Sequence, residues 1–129
     1  NLEKFVEENQ LQDRVIFYGT KTSEEILELL RSSKIFGFTS LKEALPTVLA
    51  EAMFCSNAII SYNCNYGPSD IVKNNSGFLI DVNNKEDFIQ KLEMLTNSDE
   101  KLEKMMENAF KEAQKWKQNE ILKKWQEII

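Results

Sequence analysis

Four short apolar runs, parted by stretches of helical spacing or by turn residues, constrain this chain more than any other feature. They are Arg14 to Tyr18 (RVIFY), Lys34 to Thr39 (KIFGFT), Asn57 to Tyr62 (NAIISY) and Gly77 to Ile80 (GFLI). β-Branched and aromatic residues fill them and turn formers bound them, so each reads as a strand. Their apolar residues run on rather than alternate, which predicts burial on both faces. That requires a mainly parallel sheet, of about four strands, with helices on both sides. The helical stretches agree. Residues 2–9 read as the end of a helix. Thr22-Ser-Glu-Glu25 has the capping-box pattern, with Ile26, Leu27, Leu29 and Leu30 as the face that follows. Pro46 is expected to open a helix through Cys55, where its missing N–H costs nothing. Pro68 to Lys73 reads as one helical turn and Asn74 to Gly77 as a tight turn. The end is expected to be helical over roughly 85–96, 98–116 and 119–129, behind Asn84 and Asn97 or Ser98. Ligands of such sheets bind beyond the carboxyl ends of the strands, which directs attention to loops 19–22, 39–46 and 62–68.

Composition narrows the chemistry. At 129 residues the chain suffices for one domain, and 42% apolar with 29% charged residues is the balance of a globular protein. A net charge of −5 without a basic stripe argues against nucleic-acid backbone as a ligand. Lys111, Lys115, Lys117, Lys123 and Lys124 gather near the C-terminus, interleaved with Trp116 and Trp125. They read as a solvated helix face diluted by Glu112, Glu120 and Glu127, or as a face for peripheral membrane contact. No apolar stretch is long enough to span a bilayer. The chain opens on Asn1 rather than Met, so a native start upstream is expected. Cys55 and Cys64 lack metal-ligand spacing and read as inert thiols of a reducing compartment. Histidine is absent, which excludes His-based dyads and triads and leaves carboxylates as the available bases.

The loop after the second run reads Ser40-Leu-Lys-Glu43-Ala-Leu-Pro46-Thr-Val-Leu-Ala-Glu51. A helix starting at Pro46 leaves the N–H groups of Thr47, Val48 and Leu49 without intrahelical partners, at the positive end of the dipole. That end is a cradle for a diphosphate, to which the Thr47 hydroxyl can add a donor. Glu51 follows five residues on, roughly 7.5 Å along the axis, where a carboxylate can accept from both vicinal hydroxyls of a ribose. Glu43 precedes the helix, on the side where a hexose would lie. Spacing alone does not single out this pair, because Glu112 and Glu120 are also eight apart; those two are expected to be exposed helix positions.

In series, "RVIFYGT", "KIFGFTSLKEALPTVLAEAM", "AIISYNCNYGPSDIV" and "NNSGFLIDVNNKEDF" resemble the C-terminal domain of glycosyltransferase family 4 over about residues 10–129. "YGPSDIV" is especially similar to the bacterial lipopolysaccharide, capsule and wall-glycan transferases of that family. The resemblance implies the C-terminal half of a GT-B fold: a Rossmann-like α/β domain with a helical end, here without its first strand and without the N-terminal acceptor domain. It implies a retaining, usually metal-independent hexosyltransferase that needs no cofactor, uses a nucleotide-diphosphate sugar (UDP expected) and serves a growing glycan or lipid-linked acceptor. Its mechanism is usually drawn as front-face displacement. A cytoplasmic location, at or near the inner face of the membrane, goes with this. So does inactivity of the chain when alone.

Residue by residue, the resemblance implies Glu43 at the donor sugar and Glu51 at the ribose. The backbone of Ala44, Leu45, Pro46, Thr47 and Val48 would hold sugar and diphosphate, and Gly19, Thr20 and Lys21 would border the base. The chain departs from the family pattern at Ala44, where glycine is common, and at Ser56-Asn57-Ala58, where Gly-x-Pro is common. Either Ser56 or Asn57 must then take the left-handed turn position. The family's basic diphosphate clasp lies upstream of Asn1. Ser69 and Asp70 either face the acceptor or cap the turn they begin, and Lys42 either meets phosphate or points to solvent. Trp116, Trp125, Phe110, Ile121, Leu122 and Ile128 read as core or interdomain packing. An unpartnered apolar surface is expected where the absent parts belong, with Trp125, Ile128 and Ile129 as its leading residues. Two other readings remain open at this point: a non-catalytic, flavodoxin-like binding or regulatory module, and a GT-B relative such as a nucleotide-sugar epimerase.

Overall fold

A computed structural model of the chain describes residues 1–117 together with 126 and 127. Three of the four apolar runs form one parallel sheet, in the order β1 (Ile35–Phe38), β2 (Ala58–Tyr62), β3 (Gly77–Ile80). The register sets Ile35 beside Ala58 and Phe38 beside Ser61, then Ile59 beside Gly77 and Tyr62 beside Ile80. Helices α1 (Leu2–Glu8) and α2 (Ser23–Ser32) precede the sheet, α3 (Thr47–Phe54) joins β1 to β2, and α4 (Pro68–Ile71) lies between β2 and β3. Helices α5 (Lys85–Thr96) and α6 (Asp99–Ala113) follow, the latter closing in a 3-10 turn at Gln114–Trp116.

Both faces of the sheet are covered, as the continuous apolar runs require. Central β2 is buried at all five positions. Ile59 points into a cluster with Leu30, Leu49, Met53, Ile71 and Ala109, on which Phe36, Phe38 and Leu79 also pack. Its neighbours Ala58, Ile60 and Tyr62 point the other way, against Ile80, Leu95, Leu102 and Met105. The period-two alternation of a strand separates the two sets. Helix α6 serves both, Leu102 and Met105 on one side of the sheet and Ala109 and Ala113 on the other.

The fourth apolar run is not a strand. Val15 to Tyr18 are exposed, Ile16 at 67%, and among the described residues no strand lies alongside them. Residue type supplies a preference, but a strand needs a partner for its N–H and C=O groups. The Arg14 and Val15 amides donate instead to the Leu11 carbonyl, at 2.9 and 3.0 Å.

Helix ends follow the sequence closely. Thr22 and Glu25 form the reciprocal box, Glu25 N–H to Thr22 Oγ1 at 3.2 Å and Thr22 N–H to Glu25 Oε2 at 2.7 Å. Asn84 and Ser98 cap α5 and α6. At the end of α3, Ser56 takes the left-handed position (φ 61). Its amide reaches the Met53 carbonyl at 2.9 Å and that of Asn57 the Ala52 carbonyl at 3.0 Å, which together make a Schellman motif without glycine. Asn57 is thereby free to turn inward, where Nδ2 donates to the Leu30 carbonyl at 2.7 Å and ties the end of α2 to the start of β2.

Glu112 departs from expectation. It is 5% exposed, not a solvated helix position. Lys73 to Ser76 form a turn with positive φ at Asn74 (54) and Asn75 (59), closed by Ser76 N–H to the Lys73 carbonyl at 3.1 Å. Asn74 Nδ2 donates to Glu112 Oε2 at 2.8 Å, and Lys115 Nζ reaches both carboxylate oxygens, at 3.1 and 2.9 Å. Burial pushes this carboxyl up, but the bonds from Asn74 and Lys115, with the charge of Lys73, outweigh it and hold the group below its ordinary range. Trp116 packs on the Ile59 cluster, while Phe110 is exposed. The expectations for Glu120, Ile121, Leu122, Trp125, Ile128 and Ile129 fall outside the described residues, as does the helix over 119–129 except at 126 and 127, which are helical.

Candidate functional site

Parallel β1 and β2 must be joined by a crossover, so α3 runs back along the sheet and its amino end lies beyond the carboxyl end of β1. The loop after β2 closes on the same point. Gly67 (φ 121) is buried against Pro46, so close that a Cβ there would collide with Pro46 Cδ. Loops 39–46 and 62–68 therefore converge. Two hollows are relevant here, one along α2 as far as Leu29 and Ser32 and the other against these loops. One, of about 300 Å³, is bounded by Tyr18, Lys21 and Glu25 beside the turn at Gly19 and Thr20; the other, of about 460 Å³, by Thr39, Leu41, Tyr62, Lys85 and Phe88. A groove of about 490 Å³ between α5, α6 and Asn75 opens near the amino end of β3, remote from this edge.

The two acids differ in setting. Glu43 is half-buried, and the Ser40 hydroxyl, 3.1 Å from the Lys42 carbonyl, donates to its Oε1 at 2.8 Å. This bond holds the carboxylate at the mouth of the loop while leaving Oε2 available. Glu51 is exposed on α3, roughly 7.5 Å along the axis from Pro46 at 1.5 Å per residue. Lys42, Ser69 and Asp70 are exposed, and no side chain caps the amino end of α4, which leaves the capping reading of Ser69 and Asp70 without support.

The amide cradle differs from expectation. Pro46 is the cap rather than the first helical residue, a place that falls to Thr47. With φ −79 and ψ 81, Pro46 sits at the centre of an inverse γ-turn that engages the Thr47 N–H with the Leu45 carbonyl at 2.9 Å. The Leu49 N–H is taken by the Pro46 carbonyl at 3.0 Å. Among the described residues Val48 keeps an unpaired N–H at this end, as do Ala44 and Leu45 in the loop. The exposed Thr47 hydroxyl stands beside them. The γ-turn escapes a sequence reading because proline suits a cap as well as a first turn.

Cys55 is partly buried; burial pushes its thiol up, Arg31 opposes and Glu51 reinforces, so it stays protonated at neutral pH. Among the described residues no group of three or more acidic, Cys or His side chains could hold a metal, and no helix is long and apolar enough to cross a membrane.

The sequence profile described as "Glycosyl transferases group 1" matches residues 1–112. The chain belongs to the glycosyl transferases group 1 family. The amylovoran biosynthesis glycosyltransferase AmsD of Erwinia amylovora is 33% identical over 107 residues, 83% of this chain and 30% of that protein. The poly(ribitol-phosphate) alpha-N-acetylglucosaminyltransferase of Staphylococcus aureus is 30% identical over 127 residues, 95% of this chain and 25% of that protein. The chain thus spans about a third or less of these relatives. S. aureus TarM, solved with fondaparinux, alpha-GlcNAc-glycerol and UDP, superposes with a TM-score of 0.84 at 27% identity, over 98% of this chain and 26% of that one. The C-terminal domain of the Francisella tularensis group 1 protein LpcC gives 0.79 at 27% identity, over 88% of this chain and 58% of that one. The α/β arrangement described above is that of the Rossmann-like C-terminal domain of GT-B glycosyltransferases.

Proposed function

We propose that this chain is the donor-binding domain of a retaining family 4 hexosyltransferase, which moves a sugar from a nucleoside diphosphate, with UDP the leading candidate, onto a bacterial cell-surface glycan or its lipid-linked precursor. In this reading the diphosphate lies at the amino end of α3. The Val48 N–H, the Thr47 hydroxyl and the loop amides of Ala44 and Leu45 donate to it. The ribose hydroxyls donate to Glu51, the hexose hydroxyls to Glu43, and the hollow at Tyr18 and Lys21, next to Gly19 and Thr20, borders the base. Glu43 orients the sugar and is not a double-displacement nucleophile; the leaving diphosphate takes the acceptor proton.

One observation carries the reading: loops 39–46 and 62–68 meet at Pro46, with a hydroxyl-braced carboxylate on one side of an anion-suited helix end and a second carboxylate on the other. Names of relatives agree with it. TarM was solved with UDP, and one Campylobacter jejuni relative, 26% identical, acts on an undecaprenol-linked substrate. Family membership favours sugar transfer over the flavodoxin-like regulatory module. A nucleotide-sugar epimerase would use the same cradle but return the epimeric nucleotide sugar rather than a glycoside.

The upstream acceptor domain belongs to this proposal, as does a place at the cytoplasmic face of the membrane. A thermal-shift screen of nucleoside diphosphates and their sugars on the full-length protein tests it. One nucleoside diphosphate and its sugar conjugate should raise the melting temperature well above the others; a flat response across the panel contradicts the assignment.

A further inference from the structure

Tyr66 is the most exposed large apolar side chain among the described residues, 80% accessible, and its backbone is left-handed at φ 66. An aromatic residue in that region carries strain, and nothing in its own packing repays it. Asparagine or glycine would do the same turn at less cost, and this chain places asparagine at three other left-handed positions: Asn74, Asn75 and Asn83. The ring is also held out rather than loose. On one side Asn63 N–H bonds the Ile80 carbonyl at 2.7 Å and Cys64 is buried; on the other Gly67 is wedged on Pro46 and Pro68 is buried. The anchored loop delivers an uncovered phenol ring to the carboxyl edge of the sheet, one residue from the contact with the cap of α3.

From this we infer that Tyr66 is a stacking platform for a pyranose ring at the Glu43 site. Carboxylates such as Glu43 recognise the hydroxyl rim of a sugar, while its C–H face is apolar and gains from covering an aromatic surface that water otherwise wets. The inference rests on the donor-domain reading and adds a specificity residue to it. The ring that stacks is either the donor hexose or the terminal sugar of the acceptor, and the two are separable by experiment.

In the full-length protein, Tyr66→Phe keeps the ring, whereas Tyr66→Asn and Tyr66→Gly remove it and relieve the backbone. The latter two should melt at or above the parent temperature and bind UDP as the parent does. They should lose on the order of tenfold either in affinity for UDP-N-acetylglucosamine relative to UDP, which assigns the donor ring, or in KM for the acceptor, which assigns the acceptor ring. Tyr66→Phe should match the parent throughout. Unchanged sugar affinity and KM in the Asn and Gly variants, beside normal UDP binding, overturn the role of Tyr66 alone. A parent protein that binds no nucleoside diphosphate overturns the donor-domain reading and this role with it.

Discussion

Glu112 shows at the scale of one residue how burial and pairing decide what a carboxylate does. Its sequence surroundings are those of an exposed helix, with Lys111 and Lys115 on the same turns. The partner that buries it, Asn74, lies 38 residues away and was invisible to local spacing. A folded-state pKa held below the unfolded value adds stability above the ordinary carboxylate range, and that stability is lost as pH falls through the folded value. Glu112→Gln should therefore cost about 1–2 kcal/mol at neutral pH, the worth of charge-assisted bonds to a half-exposed lysine. The gap between parent and variant should close as the pH is lowered from about 4.5. Urea unfolding at a series of pH values measures it; a gap unchanged between pH 7 and pH 3 contradicts the pairing. The places of Glu43 and Glu51 relative to β1 and α3 were legible for a different reason. The two acids sit in a loop and in the second turn of the helix it opens, a setting whose strand, proline and helix order could be read from neighbours alone.

The elements divide along the same line, local against distant. Helix α5 and the starts of α2 and α6 came out of cap residues that act within three positions, Thr22, Asn84 and Ser98. The RVIFY run did not become a strand because a strand is completed by a neighbour, and among the described residues none lies beside it. The γ-turn at Pro46 was unreadable because it depends on ψ, which proline leaves open. The end of α3 lay between these cases: a left-handed residue was required, and Ser56 or Asn57 could have supplied it. With Ser56 at φ 61, the helix stop carries a steric penalty of roughly 1–2 kcal/mol that glycine avoids, less the greater chain entropy glycine loses on folding. Ser56→Gly should raise stability by about 0.5–1 kcal/mol without altering ligand binding. Denaturant melts of the two proteins test this, and a destabilised glycine variant would contradict the Schellman assignment.

Across the whole molecule, the sheet, the crossover helix and the loop after β2 bring one helix end, two acids and an exposed aromatic ring to one edge. Val15 to Tyr18 stay exposed, on a chain that spans 30% of the Erwinia relative and 25% of the Staphylococcus transferase. The central claim is that the donor lies across α3 with its ribose toward Glu51 and its hexose toward Glu43. Calorimetric titration of the full-length protein with UDP, in parent, Glu51→Ala and Glu43→Ala forms, tests it most directly. Glu51→Ala should weaken UDP by roughly 1.5–3 kcal/mol, because the ribose loses a charged acceptor. Glu43→Ala should leave UDP affinity within twofold of the parent, since it touches only the sugar that UDP lacks, while turnover of the UDP-sugar falls by orders of magnitude. A Glu43→Ala protein that loses UDP while Glu51→Ala keeps it would reverse the donor on the helix, and parental binding and turnover in both would contradict the site itself.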